Sequence, residues 1–261
     1  MTSAYFTILD EQPSGGRYSA DPATGGPWAP GLQHGGPPSA LLVRASERAA
    51  EASQRSDLHA VRLAVEFVGP VPVAEVEVEA RVVRSARTAV LVEATLSAAD
   101  RTCLQGRVWL VRDLDTATIS APLAEPEAPP HGLPGIGAEF PYGSSIEWQA
   151  VSGSLHTPGP GLVWARPRRG LIDGEPLSGL QRVALVGDSA SGISAELDWS
   201  AWSFVNVDLD VHLARPVEGD WVLIDARTTL GGHGSALARA TISDLRGQVG
   251  ATAQTLVLSP R

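Results

Sequence analysis

Apolar and polar residues alternate strictly from Ala74 to Ala80, where Glu75, Glu77 and Glu79 interleave Val76 and Val78. That is the period of a strand with one wet and one dry face. The same period runs through Ala60 to Val68, Ala89 to Ala98 and Cys103 to Arg112, and predicts four strands in series over 60–112. Ahead of them Leu41, Leu42, Ala45, Ala49 and Ala52 recur at helical spacing, with Arg44, Glu47, Arg48 and Glu51 mostly between. Pro37-Pro38 opens this helix, where a missing N–H is no loss, and it ends near Arg55. Further upstream, Tyr5 to Leu9 predicts a short strand and the Gly/Pro-rich stretch Ser14 to Gly36 a loop.

The pattern then recurs. Ser145 to Ser152 and Leu162 to Ala165 predict strands, and the segment Leu177 to Trp199 holds a second, shorter helix. Four more strands follow at Val205 to Leu213, Asp220 to Thr229, Ser235 to Asp244 and Val249 to Leu258, with turns at Gly231-Gly232 and Arg246-Gly247. Laid without a gap on Val207 to Val257 (offset 207 − 61 = 146), Val61 to Val111 matches at fourteen of 51 positions. Two duplicated units account for so long a period with so few copies. The expected organisation is an N-terminal domain over 1–113, a Pro/Gly-rich connection over 114–143 and a C-terminal domain over 144–261. Antiparallel strands packed on one long helix in each unit make the fold class α+β.

The copies differ in polarity. Asn206 stands opposite Ala60, Asp208 opposite Arg62, His212 opposite Glu66 and Gln254 opposite Val108. Buried polar groups cost free energy unless paired, so polar gains confined to one copy point to a site there. Surface drift is the competing explanation. Gln254 shares its face with Leu256 and Leu258, and an amide among leucines needs a partner. Asn206 shares its predicted face with Asp208, Asp210 and His212, a run that normally faces solvent.

Composition narrows the chemistry. All twenty basic residues are arginine, so a Schiff-base enzyme and a P-loop ATPase are excluded. The net charge of −9 argues against non-specific nucleic-acid binding. Arg166-Pro167-Arg168-Arg169 is the one dense basic cluster. A single cysteine, Cys103, excludes an intrachain disulfide and fits a buried thiol. No apolar run spans a membrane and Met1 to Glu11 lacks the form of a signal peptide, so a cytoplasmic protein is expected. The six histidines show no ligand spacing, so neither a metal nor another cofactor is expected.

Two motifs stand at helix entries. His34-Gly35-Gly36 leads into the first helix, where glycines let a ligand approach first-turn N–H groups able to hold an oxyanion. The same triplet precedes lipase oxyanion holes, but the chain has no Gly-x-Ser-x-Gly elbow. Asp188, in Val186-Gly187-Asp188-Ser189, precedes the second helix in this reading, where an N-cap would by itself explain it. The tryptophans read as core or pocket walls.

His34-Gly35-Gly36, the two copies, and the ordered set Asp188, Asn206-Val207-Asp208-Leu209 with Arg215-Pro216, and Gln254 together resemble the double-hotdog acyl-CoA thioesterase II family over nearly the whole chain. The resemblance implies a hotdog fold in each copy, the two helices side by side, and an acyl-CoA substrate held between them. It also implies hydrolysis by an Asp, a Thr or Ser, and a Gln that hold one water. Asp188 and Gln254 match the first and third, while Asn206 departs from the hydroxyl and can still hydrogen-bond water. His34, Gly35 and Gly36 fall to substrate binding. Two alternatives stand beside this: a non-catalytic acyl-binding protein, and a hotdog enoyl hydratase using Asp208 or Asp210 with His212. Hotdog sheets often pair further, so a homodimer is plausible.

Overall fold

A computed structural model describes residues 4–120 and 130–261. The N-terminal unit begins with strands β1 (Ala4–Gln12) and β2 (Gly15–Ala20) and helix α1 (Gly36–Ala52). Strands β3 (Leu58–Phe67), β4 (Glu75–Ser85), β5 (Ala89–Ala98) and β6 (Arg101–Arg112) follow. A short helix, α2 (Pro141–Ser144), precedes β7 (Ile146–Ser154), β8 (Thr157–Pro167) and β9 (Gly170–Ile172). Next come α3 (Gly179–Gly187) and α4 (Ala190–Ile193), then β10 (Trp202–Asn206) and β11 (Asp208–Leu213). Strands β12 (Val222–Leu230), β13 (Ser235–Asp244) and β14 (Gly247–Pro260) close the chain. Of the predicted connection, residues 121–129 lie outside the described residues, and the rest carries a 3-10 turn at Ala117–Ile119 and the start of α2.

Both units order their strands alike: β1-β2-β4-β5-β6-β3 and β7-β8-β12-β13-β14-β11. They join through β3 and β11 into one sheet. At that seam Leu63 pairs with Val211 and Val65 with Leu209. Because 209 − 63 and 211 − 65 both equal 146, each pair is the repeat image of the other, and a pseudo-twofold axis passes through Ala64 and Asp210. The duplicated chain thus makes with itself the isologous contact that a symmetric dimer makes between subunits.

The sheet wraps α1 and α3, which pack side by side. Leu41, Leu42, Val43, Val183, Leu185 and Val186 are all fully buried. Arg44, expected on a polar helix face, is only 3 % exposed. Its guanidinium meets both oxygens of Glu175 at 2.7 Å and Glu11 at 2.5 Å, so its charge is paired where it is desolvated.

The expected loop over Ser14 to Gly36 is corrected in part: Gly15 to Ala20 is strand β2, paired with both β1 and β4. Glycine masked it, because a Cβ on Gly15 would stand 2.0 Å from the Val78 carbonyl oxygen and only glycine fits so close an approach.

Asp244, fully buried at the end of β13, accepts two hydrogen bonds of 2.6 Å from Arg215 and others from the Glu218 and Arg246 backbone N–H groups. Burial pushes its carboxyl up, but Arg215 and these amides outweigh it and hold the group below the usual carboxylate range. A carboxyl depressed in the folded state adds stability above its unfolded pKa of about 3.9 and loses it as pH falls through the folded value. Asp244→Asn is therefore expected to cost about 1.5–3 kcal/mol at neutral pH, the worth of a hydrogen bond to a charged group. The melting-temperature gap to the wild type should close as pH is lowered below about 4, and a gap constant with pH would refute this.

Candidate active site

The polar residues singled out in the sequence meet at the C-terminal end of α3. Asp188 is the C-cap of that helix, followed by Ser189 at the start of α4. The N-cap expectation is thereby corrected: α3 is capped by Ser178, whose hydroxyl accepts from the Gln181 N–H. Asp188 is 5 % exposed, and its side chain turns inward. Its Oδ1 accepts from Asn206 Nδ2 at 2.9 Å and from Gln254 Nε2 at 3.1 Å, and its Oδ2 lies 3.1 Å from His34 Nδ1. The two amide donors fix the plane of the carboxylate.

Gln254, on β14, is 1 % exposed. Its Oε1 accepts from the Ser191 N–H at 3.1 Å while Nε2 also donates to the Asp188 carbonyl, so every polar atom of the amide is used.

Asn206 reaches the site because the strand expected over Val205 to Leu213 is broken. Phe204 is buried while Val205 and Val207 are exposed, and beyond the break Leu209 and Val211 are buried instead. The phase slips by one residue at Val207, where β10 ends and β11 begins. The Asp208 carboxylate accepts from the Thr255 N–H and fills the ladder position lost at the slip. Asn206 thus points inward, away from Asp208, Asp210 and His212. Asp210 pairs instead with Arg62 and His212 is exposed, so the Asp–His pair required for a hydratase does not form.

His34, Gly35 and Gly36 enter α1 opposite Asp188. Pro37 and Pro38 have no N–H, the His34 N–H bonds Thr24 O at 2.8 Å, and the Gly36 N–H bonds His34 Nδ1 at 3.1 Å. Burial pushes the His34 imidazole below its ordinary pKa and outweighs the opposing pull of Asp188, so the ring is neutral near pH 7. Its Nδ1 therefore has two uses: without a proton it accepts from Gly36, and with one it donates to Asp188.

Sequence reasoning missed Tyr142. Its ring stacks on His34 at 3.9 Å between centroids, and its hydroxyl donates to Leu185 O at 2.6 Å. It comes from α2, in a segment without periodicity.

Beside Asp188 lies a recess of about 30 Å3 lined by His34, Asp188, Ser191 and Asn206, with Trp28 and Trp199 as aromatic walls. It has room for about one ordered water. The recess adjoins a broader cleft of about 600 Å3, with which it shares Pro27, Phe140, Leu155 and Trp199. The arginine run lies in a separate cleft, where Arg166 pairs with Glu147 and Arg169 with Asp21. Among the described residues no group of three or more His, Cys, Asp or Glu side chains could hold a metal ion, and no helix is long and apolar enough to cross a membrane.

Two family models match the chain, the acyl-CoA thioesterase N-terminal domain over residues 24–111 and the acyl-CoA thioesterase C-terminal domain over residues 120–258. No curated protein matches it. Among solved structures it is similar to the tesB protein of Mycobacterium avium subsp. paratuberculosis, at 17% identity over 98% of this chain and 96% of that one, with a TM-score of 0.71. The acyl-CoA thioesterase II TesB2 of Mycobacterium marinum is 17% identical over 98% and 95%, with a TM-score of 0.68. A hot dog fold protein of Alicyclobacillus acidocaldarius is 16% identical over 100% and 96%, with a TM-score of 0.73. At such identities these likenesses show the fold, a double hotdog.

Proposed function

Since the chain belongs to the acyl-CoA thioesterase family and its activity is thioester hydrolysis, we propose that Asp188 is the general base, that Asn206 and Gln254 hold its carboxylate in register, and that Asp188 and Asn206 hold one water. The observation that carries this is the convergence of both amides on Asp188 Oδ1 at 2.9 and 3.1 Å beside a water-sized recess. The two amides leave Oδ2 as the oxygen that removes a proton. Asn206 spends its N–H groups on Asp188 Oδ1 and Asp208 O, so its own carbonyl oxygen is the acceptor for the water's second hydrogen.

In the reaction the water oxygen bonds to the thioester carbonyl carbon as Asp188 takes the proton, giving a tetrahedral oxyanion. The intermediate collapses with cleavage of the C–S bond, and the proton passes from Asp188 to the departing thiolate, leaving free acid and thiol. The Gly35 N–H, the one amide of the helix entry not already used by His34, Thr24 or a proline ring, is the donor left for the developing charge at the positive end of α1. When His34 Nδ1 is protonated and donates to Asp188, the Gly36 N–H is released as a second donor.

Thiol release from short, medium and long acyl-CoAs tests the assignment. Asn206→Ala is expected to slow turnover about 10–100-fold, the cost of a lost hydrogen bond to a charged group. Asn206→Thr should recover part of that loss by restoring a hydroxyl. Unchanged turnover in Asn206→Ala would remove Asn206 from the site. No release from any thioester, with acyl-CoA still raising the melting temperature, would favour a binding protein.

A further inference from the structure

The broad cleft outside the recess has walls of one kind and charges of one sign. Pro27, Phe140, Leu155, Pro158, Leu197 and Trp199 make its sides apolar. Trp199 is held rigid, stacked on Trp28 at 5.0 Å and edge-on to Phe204 at 4.5 Å. The charged side chains on the lining are Glu139 and Asp198, both exposed, and His156 is its sole basic group. Asp198 accepts from both the N–H and the hydroxyl of Ser200, which hold its carboxyl below the usual range and so anionic. No arginine lines the cleft, although every basic residue outside the histidines is arginine.

Coenzyme A carries a diphosphate and a 3′-phosphate, and like charges brought together cost free energy. This cleft therefore opposes the nucleotide end of the carrier while offering apolar walls to an uncharged group of its size. We infer that the cleft holds the acyl group, and that Glu139 and Asp198 make it select uncharged acyl groups over those ending in a carboxylate. The inference rests on the hydrolase reading, since it places the acyl side of the thioester bond next to Asp188.

The test compares hexanoyl with adipoyl thioesters, and phenylacetyl with 4-carboxyphenylacetyl thioesters, each on coenzyme A and on pantetheine, which lacks the nucleotide charges. The wild type should prefer the uncharged member of each pair on both carriers, with the preference widening at low ionic strength. Glu139→Gln with Asp198→Asn should raise kcat/KM for the carboxylated substrates about 10-fold relative to their uncharged partners. A double variant that speeds all coenzyme A thioesters alike, with no effect on pantetheine thioesters, would place the carrier's phosphates in the cleft and overturn the inference. So would a variant with no change in preference. Melting-temperature shifts of Asp188→Asn with hexanoyl-CoA and adipoyl-CoA read the same preference without turnover. Failure of the hydrolase reading therefore leaves this inference decided on its own.

Discussion

Asp188→Asn is expected to lower kcat for thioester hydrolysis by about 10²–10⁴-fold, the usual contribution of a positioned base. The substitution isolates charge from shape. An asparagine Oδ1 in the same place still accepts from Asn206 and Gln254, now found at 2.9 and 3.1 Å. Its Nδ2 would face His34 Nδ1, an acceptor in the tautomer that takes the Gly36 N–H. Packing and hydrogen bonding around the C-cap of α3 are thereby preserved, and the melting temperature should stay within a few degrees of the wild type. KM should move little, because the carboxylate acts on water and not on the acyl chain. A variant with kcat within about threefold of the wild type would remove Asp188 from the chemistry. A loss of activity accompanied by a large drop in melting temperature would assign Asp188 to the fold instead.

How far the sequence alone reached depends on whether local period and tertiary position agree. Strand β5 follows its alternation from Ala89 to Ala98, and β13, 146 residues later, runs from Ser235 to Asp244 as its own alternation predicts. Both are interior strands with a neighbour on each side, and the alternation of buried positions runs unbroken along each. Gln254 was legible for a related reason: an amide on an otherwise leucine face of β14 has no solvent to turn to, and its partners had to be protein. Asn206 was not legible by parity, because the slip at Val207 depends on the Asp208 carboxylate meeting a backbone N–H on β14 47 residues away. Arg44 read as a surface residue because its partners, Glu11 and Glu175, lie 33 residues before it and 131 after it. Tyr142, Trp28 and Trp199 sit in connections with no period, and tertiary packing, Tyr142 on His34 and Trp28 on Trp199, brings them to the site.

Gly36→Ala should strongly destabilise the packing of α1 on α3. A Cβ on Gly36 would stand 2.1 Å from the Leu185 carbonyl oxygen and 3.0 Å from its carbonyl carbon, both backbone atoms of α3. No rotamer change relieves a clash with backbone, so α1 and α3 must separate, and the residues between them are fully buried. Overpacking of this kind costs about 3 kcal/mol or more, which for a chain of this size lowers the melting temperature by roughly 6–12 °C. The same displacement moves His34 and the Gly35 N–H away from Asp188, so activity should fall even where the variant remains folded. Gly69→Ala is the control, since a Cβ there would lie no closer than 3.4 Å to any neighbour and should leave both quantities nearly unchanged. Differential scanning calorimetry of the two variants, with thiol release measured well below the lower transition, separates the two effects. A Gly36→Ala protein melting within about 2 °C of the wild type would mean that the helices do not pack at this contact. Lost activity with an intact fold would assign Gly36 to the substrate rather than to the helix interface.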